Sequence, residues 1–583
     1  MRSSWTGARP GKPDGAGQLA ESGQPAEPTP DGAGQAVQPG KPNEPGRPGR
    51  PGKTGRAGSA RGSGRLAGAA RSSAGISWHG LTGRWSTAVA VIAGLALAAA
   101  FPPVGVWPLA MVGPALLILA VWGKGPRATV GLGLACGGAF FVPLFSWLIN
   151  VAWYAWAALV VLETVIFAVA ALGLRPLLRL RAWPLAVAGW WVAQEAVRDR
   201  IPWGGMPWGR LAMSQAGAPT SGWAAIGGPP LLSFALALTG GCLAFALITV
   251  LGHGRPGQHR AAGAMVVLAL GAAMAGNLAW TTTPGPGPTA IVATVQGNVP
   301  HSRSLPKVLR ATTVTANHAR ATIKFAGQVR AGREPAPDVV IWPENSTDID
   351  PSLSPNTYAT IAAAVAAIGR PVLVGAVLDH PVRNAGQLWL PGRGPTQVYL
   401  KRQLVPFGEV IPFRGFLDTF TSLPSLQPQN FTPGHRAVVF RIGQIRLGDV
   451  ICYEVGFDNL VRSEVLAGAN LLTVQTNDAD FELDGQTGET LQQLGMARID
   501  AVTTGRAVAV ASTTGISAII APDGRVLARS TTWKQVVLEA RVPLLSGFTP
   551  ADRVGSWPEL VIVGLTLLAL GWALIRRRQP GTE

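Results

Sequence analysis

The chain is 583 residues long, with 48% hydrophobic and only 14% charged residues, against about 25% charge in a typical soluble domain. Its mean hydropathy is positive although its first 80 residues are polar, so the apolar excess is concentrated in segments, the pattern of membrane spans. The net charge of +18 does not indicate nucleic-acid binding, because the charge is dispersed and no groove-reading motif accompanies it.

Residues 1–80 are rich in Gly, Pro, Ala and Ser and carry 11 Lys+Arg against 5 Asp+Glu. Such a stretch is expected to be disordered. It is too long and basic for a cleavable signal peptide, and no clear cleavage site follows the first apolar run. It reads as a cytoplasmic tail, either touching anionic lipid through its arginines or serving as a spacer. Eight apolar segments follow: 86–101, 106–123, 128–149, 152–173, 183–197, 229–251, 262–281 and 558–575. Several approach the roughly 20 residues needed to cross the hydrocarbon core; the first and fifth are short.

The charges between segments test this reading. Arg65, Arg71 and Arg84 precede the first segment; Lys124 and Arg127 follow the second; Arg175, Arg179 and Arg181 the fourth; Arg255 and Arg260 the sixth; Arg576, Arg577 and Arg578 the eighth. The connections around Phe101-Pro-Pro-Val and Asn150 carry none. This alternation puts both termini in the cytoplasm and about residues 284–555 on the outer face. The fifth connection breaks the pattern with Glu195, Arg198, Asp199, Arg200 and Arg210 beside Trp203 and Trp208. Charges there suggest either phospholipid headgroup contact or an interfacial turn anchored by tryptophan. Twenty tryptophans against four tyrosines fit a protein with many interfacial anchors.

The outer segment alternates short β-rich runs with amphipathic stretches. Strands are expected at 290–296, 338–342, 372–377, 397–401, 437–441, 446–452, 471–476, 507–512, 516–521 and 525–528, and helices at 307–330, 355–369, 457–468 and 487–504. Pro522-Asp-Gly-Arg is a turn signal between the last two strands. Strands alternating with helices indicate a layered α/β domain.

Three cysteines make no disulfide framework. Cys136 and Cys242 lie in apolar segments and read as helix packing. Cys452 alone lies in the outer domain, at the end of a buried strand in Gly-Asp-Val-Ile-Cys-Tyr-Glu. By itself it reads as an inert buried thiol. A nucleophilic thiol needs a base or cation nearby. Glu344, after the strand Asp338-Val-Val-Ile-Trp and a proline, is placed to be a general base. Lys401, ending Gln397-Val-Tyr-Leu, is placed to stabilise an oxyanion. Glu409, in Val-Pro-Phe-Gly-Glu, is placed to orient Lys401 or share the base role.

The order Glu344, Lys401, Cys452 on three strand ends resembles the Glu-Lys-Cys triad of the nitrilase superfamily. Four stretches carry the likeness: Val295-Gln-Gly-Asn-Val-Pro, Trp342-Pro-Glu-Asn, Lys401-Arg-Gln-Leu-Val-Pro-Phe-Gly-Glu and Ile451-Cys-Tyr-Glu. With seven spans before and one after, residues 86–575 resemble the apolipoprotein N-acyltransferase family. The resemblance implies a polytopic α-helical membrane domain of about eight spans plus an extracytoplasmic nitrilase-like α/β domain, an α-β-β-α sandwich. It divides the chain into a tail (1–80), seven helices (86–281), a catalytic domain (284–555), an eighth helix (558–575) and a short basic cytoplasmic tail (576–583). It implies a multi-pass protein of the bacterial cell membrane that takes an acyl chain from a phospholipid donor onto Cys452 as a thioester. The acyl group then passes to the N-terminal amine of a diacylated apolipoprotein. Glu344 would be the base and acid, Lys401 the oxyanion partner, Glu409 a second glutamate near the site, and Tyr453 and Glu454 residues that shape the pocket. It implies no metal and no organic cofactor.

One stretch departs from the family pattern. Asn477-Asp-Ala-Asp-Phe-Glu has Asp480 where the family commonly has tryptophan, and Glu482 in place of glycine. The alternatives are a membrane-tethered nitrilase-type amidase acting on a small amide, or a transporter or receptor with an outer sensing domain. One anchoring helix would suffice for the amidase. A transporter would need ionisable groups inside its spans, and the apolar cores read as nearly free of charge, Glu195 near an end being the exception.

Overall fold

The computed structural model describes residues 80–276, 278, 287–300, 306–420, 429–481 and 487–578. The tail expected to be disordered lies, save Gly80, outside the described residues, as does the end of the C-terminal tail. Each of the eight apolar segments contains a helix among its described residues. The first seven are α1 (Gly83–Ala100), α2 (Leu109–Val121), α3 (Pro126–Leu144), α4 (Trp153–Leu177), α5 (Trp183–Arg198), α6 (Trp223–Leu251) and α7 (Pro256–Met274). In α6 the backbone leaves helical geometry at Gly227 and Gly228 before Pro229 and Pro230; two prolines supply no N–H to the preceding turn, which kinks the rod. Close packing uses small residues. A Cβ on Gly94 of α1 would sit 2.1 Å from the Cys136 carbonyl oxygen of α3, so only glycine allows the two helices to approach this closely. Cys136 and Cys242 are buried among these helices.

The remaining elements are β1 (Thr289–Gln296), α8 (Lys307–Arg330), β2 (Val339–Ile341), α9 (Pro355–Ile368), β3 (Val372–Leu378), β4 (Arg383–Leu390), β5 (Gly394–Leu400), α10 (Arg414–Phe420), β6 (Val439–Ile442), β7 (Ile445–Ile451), α11 (Asp458–Leu466), β8 (Leu471–Thr476), α12 (Gly488–Thr504), β9 (Val508–Ser512), β10 (Ala518–Ile520), β11 (Val526–Arg529), β12 (Val536–Pro543), α13 (Pro550–Val554) and α14 (Trp557–Arg578). Among the described residues, α1, α3, α4, α6 and α14 are long and apolar enough to cross a membrane. At 13 residues, α2 is a shorter apolar helix.

The strands form two six-stranded sheets, ordered β12-β1-β2-β3-β4-β5 and β11-β10-β9-β8-β7-β6. Side-chain alternation builds the layers. From β1, Ala290 and Val292 enter the core between the sheets, while Ala293 and Val295 face α8 and α9 with Phe325 and Ile361. From β9, Ala509 and Ala511 enter the core between the sheets, while Val508 and Val510 face Leu494 and Ala497 of α12. The result is an α-β-β-α sandwich.

Two strands escaped the sequence reading. Arg383-Asn-Ala-Gly-Gln begins β4 with turn-forming residues, yet it pairs with β3 along seven positions. The edge strand β12 carries Glu539 and Arg541 and ends in proline, as edges do.

The outer helix layer of the second sheet does not face solvent alone. Trp208, Leu211 and Met213 from the connection after α5 share one apolar cluster with Val465, Leu494, Ala497 and Val508, so the core of the helical bundle runs into that of the sandwich. Polar bonds lock the seam: Gln492 Nε2 donates to the carbonyls of Leu144 at 3.1 Å and Pro102 at 3.2 Å.

The charges expected at a membrane edge are mostly internal. Arg198 is 1% exposed and pairs with Glu163 of α4. Glu163 lies in the middle of the fourth apolar segment, so the expectation that Glu195 was the main charged exception there is corrected: Glu163 is a second, deeper one. Arg210 is 6% exposed and bonds Asp458 at 2.6 and 2.8 Å. These two arginines tie the protein to itself rather than facing headgroups. Removing one partner of a buried pair leaves an uncompensated charge, typically costing about 3–5 kcal/mol. Arg198→Ala is therefore expected to lower the apparent melting temperature in detergent more than Glu163→Gln, which keeps an oxygen to accept from the guanidinium. No shift in either variant would contradict a role for the pair.

Candidate active site

Three strand ends and a loop meet at one edge of the sandwich. Strand β2 delivers Trp342-Pro-Glu344, β5 delivers Lys401, and β7 delivers Cys452, as the sequence reading expected. All three are buried, at 4%, 1% and 9% exposure. The Lys401 Nζ donates to Glu344 Oε1 and to Glu409 Oε1, each at 3.0 Å. One ammonium thus bridges two carboxylates.

Asn384 of β4 completes the bridge. Its Nδ2 donates to Glu344 Oε1 at 2.7 Å and Glu409 Oε1 at 2.8 Å, and its carbonyl accepts from the Lys401 N–H at 2.9 Å. Sequence reasoning missed Asn384 because it missed β4; its only signal was a polar residue where a core-facing one would otherwise stand. The other carboxylate oxygens are also held: Glu344 Oε2 accepts from Asn477 N at 3.0 Å, and Glu409 Oε2 from Val405 N at 2.9 Å.

Cys452 adopts φ +53°, a left-handed conformation that costs a non-glycine residue about 1–3 kcal/mol and persists only when its surroundings impose it. Glu454 supplies much of that imposition. Its Oε2 accepts from Ile451 N at 2.7 Å and Tyr399 OH at 2.8 Å, and its Oε1 from Arg402 N at 2.6 Å and Gln403 N at 3.0 Å. This carboxylate ties the thiol's turn to the segment carrying Lys401. Tyr453 points the other way. Its ring stacks on Trp208 with centroids 5.5 Å apart and 16° between planes, and its hydroxyl donates to the Gly205 carbonyl. Trp208 in turn offers its carbonyl to Arg198 at 2.7 Å. A Cβ on Gly456 would lie 2.6 Å from Pro207, so backbone meets side chain directly at this clamp.

The electrostatics follow from burial. It pushes the Cys452 thiol well above its ordinary value; the Glu344 charge adds to this and the Lys401 charge opposes it. Glu344 is also raised, by burial first, with Lys401 opposing and Glu409 adding. Burial alone would lower Lys401, but Glu344, Glu409 and Cys452 together carry it well above the usual lysine value. The resting site therefore holds a neutral thiol and a charged ammonium. The thiol also lies 3.5 Å from Gln493 Nε2 of α12, a second residue the sequence reading did not single out.

A cavity of about 400 Å³ borders Glu344 through Asn345 and Asn477, with Val308, Ala311 and Val314 of α8 on its wall. Asp480 lines it and sits 3.6 Å from Arg310, so the carboxylate in place of the family tryptophan faces a cation. The neighbouring Phe481 packs edge-on against Trp147, with centroids 5.3 Å apart, and its carbonyl accepts from Asn150 Nδ2 at 2.8 Å. Among the described residues, no group of three or more His, Cys, Asp or Glu is arranged to hold a metal ion.

Comparison with known proteins agrees with this layout. The family model for the apolipoprotein N-acyltransferase N-terminal domain matches residues 93–242, and that for carbon-nitrogen hydrolases matches 291–546. The apolipoprotein N-acyltransferase of Mycolicibacterium smegmatis is 36% identical over 82% of this chain and 84% of its own length. That of Azotobacter vinelandii is 31% identical over 84% and 95%. Among solved structures, a nitrilase-superfamily amidase from Nesterenkonia matches 46% of this chain and 95% of its own, at 16% identity and a TM-score of 0.34. With both family models in tandem and relatives matched along most of their length, the chain belongs to the apolipoprotein N-acyltransferase family.

Proposed function

We propose that the protein transfers an acyl chain from a phospholipid, through a thioester on Cys452, to the N-terminal amine of the diacylglyceryl-cysteine of apolipoproteins. The observation that carries the reading is the buried Lys401 ammonium shared by Glu344 and Glu409 at 3.0 Å beside a thiol, in a chain with helices apolar enough to cross a membrane.

In the first half-reaction Glu344 takes the Cys452 proton as sulfur attacks the lipid ester carbonyl. Proton loss and attack go together, because a free thiolate is disfavoured in this buried setting. The Lys401 ammonium donates to the oxyanion as it develops, in a site already organised for charge. Collapse expels the lysophospholipid alkoxide, which takes the proton from Glu344. In the second half-reaction the acceptor amine attacks the thioester carbonyl, Glu344 removes the amine proton, and the Cys452 sulfur leaves and is reprotonated. Glu409 and Asn384 hold Lys401 and Glu344 in register throughout. Tyr453 and Glu454 set the turn that presents the sulfur.

The apolar helices hold the site beside the bilayer, which suits two lipid substrates. In this reading they are a multi-pass membrane domain, both termini are cytoplasmic, and the sandwich is extracytoplasmic. The domain divisions are those expected from the sequence: 1–80, 86–281, 284–555, 558–575 and 576–583.

Incubation of the purified protein with phospholipid alone is expected to add one acyl mass to the peptide containing Cys452, seen by mass spectrometry after rapid quenching. Cys452→Ala is expected to abolish both the adduct and lipoprotein acylation; acylation surviving in that variant would sink the mechanism. Glu344→Gln should lower the rate of adduct formation by about two to four orders of magnitude, the usual weight of general base catalysis.

The base must be ionised, and burial raises Glu344 above the ordinary carboxylate value of 4.5. Activity is therefore lost as pH falls through that raised value, and the acid limb of the acylation rate should lie above the ordinary carboxylate range. Asn384→Ala, which removes a hydrogen bond to the ionised form, is expected to move this limb further up. A limb unmoved by both Glu344→Gln and Asn384→Ala would assign the titration to another group.

A further inference from the structure

A second cavity, about 180 Å³, lies on the seam between bundle and sandwich, walled by the connection after α5, the kink of α6, α11, α12, α13 and the start of α14. Buried polar atoms normally find partners, yet four on residues lining this one cavity have none: Asp199 Oδ1, Asp500 Oδ2, Asp552 Oδ1 and Arg210 Nε. Asp500 is 3% exposed and Asp552 1%, so solvent at the surface does not satisfy them.

The charge around the cavity is unbalanced. Arg200 pairs with Glu559 and Arg210 with Asp458. Asp199, Asp500 and Asp552 then remain, with a 3.5 Å contact from Arg210 to Asp199, Arg462 as the one further lining cation, and the charges of Arg506 and Arg462 acting on Asp552. Asp500 is pushed well above the usual carboxylate range, by burial first, with the Asp458 charge adding and that of Arg210 opposing, and no salt bridge is formed to it among the described residues. Three vacant acceptors match the three N–H donors of a primary ammonium, which has no acceptor of its own. Glu559 in the first turn of α14 lines the cavity, and next to it on the same helix Trp557, Leu560 and Val561 are 68%, 58% and 51% exposed, a surface suited to acyl chains.

We propose that this seam cavity binds the primary ammonium of a phospholipid headgroup, with Arg462 beside the phosphate, as a lipid site separate from the Cys452 centre. The proposal rests on α14 crossing the membrane, and not on the acyl-transfer mechanism.

The test is native mass spectrometry of the full chain carrying Cys452→Ala, incubated with equimolar phosphatidylethanolamine and phosphatidylcholine. The choline headgroup has no N–H, so retention of phosphatidylethanolamine over phosphatidylcholine is expected, and the share lost on Asp500→Asn is the share held in this cavity. Asp500→Asn should lower that retention by roughly tenfold, because charge-assisted hydrogen bonds are the stronger ones. Should Asp500→Asn fail to give a cooperative melt, Arg462→Gln carries the same comparison. A separate arm uses free ethanolamine: competition assigns the site to the ammonium alone, and lack of competition to ammonium and phosphate together. Equal retention of the two lipids, or retention of phosphatidylethanolamine unchanged in both variants, overturns the proposal. Acylation of Cys452, measured in the unsubstituted chain, reports on the catalytic reading independently.

Discussion

The Lys401 ammonium is the constraint around which the sandwich domain is arranged. Two neighbouring carboxylates repel one another, and burial disfavours the charge on Glu344. Glu344 and Glu409 coexist because one cation is shared between them at 3.0 Å, with the Asn384 amide as a second common donor. Such a cluster holds together only with its geometry fixed from several sides, since a lone buried charge would be expensive. Here β2, β4 and β5 hydrogen-bond as neighbours or near neighbours in one sheet, while Cys452 comes from the opposing sheet. Glu344, Lys401 and Cys452 meet only because the two sheets face each other.

The second determinant is the seam. In a free-standing sandwich the helix layer over the second sheet would be an outer surface. Here it shares an apolar cluster with the helical bundle, and the turn carrying Cys452 is gripped from that side by Trp208 and Gly205. The grip extends into the bundle through Arg198 to Glu163 of α4. Strain at Cys452, recorded in its φ of +53°, is therefore borne by Glu454 on one side and by the bundle on the other. Burial raises the pKa of a thiol so placed, and the Lys401 charge opposes that rise.

Much of this was legible in the chain. The eight apolar segments marked every helix of the bundle, because burying or embedding a helix demands a long apolar run. Ten strands were foreseen from short β-rich runs bounded by turn residues. What escaped were elements whose residues obey another demand. The polar start of β4 holds the active site from behind, and the charges of β12 protect a sheet edge. Glu163 escaped because a single carboxylate inside an apolar run barely alters its hydropathy, although it settles where Arg198 goes.

The sequence by itself determined the membership of the candidate centre. Glu344, Lys401 and Cys452 each end a hydrophobic strand, and a strand end is where a polar side chain can leave the core without breaking it. Glu409 follows in the same stretch as Lys401. Only the tertiary structure decided how these groups are used. It brought Asn384 and Gln493 to the site, turned Tyr453 away toward the bundle, and made Glu454 a fastening for the backbone. It also turned Arg198 and Arg210 of the fifth connection inward, beside a cavity lined by carboxylates. These outcomes depend on contacts between residues far apart in the chain, and local pattern carries no record of which distant partner will satisfy a buried charge.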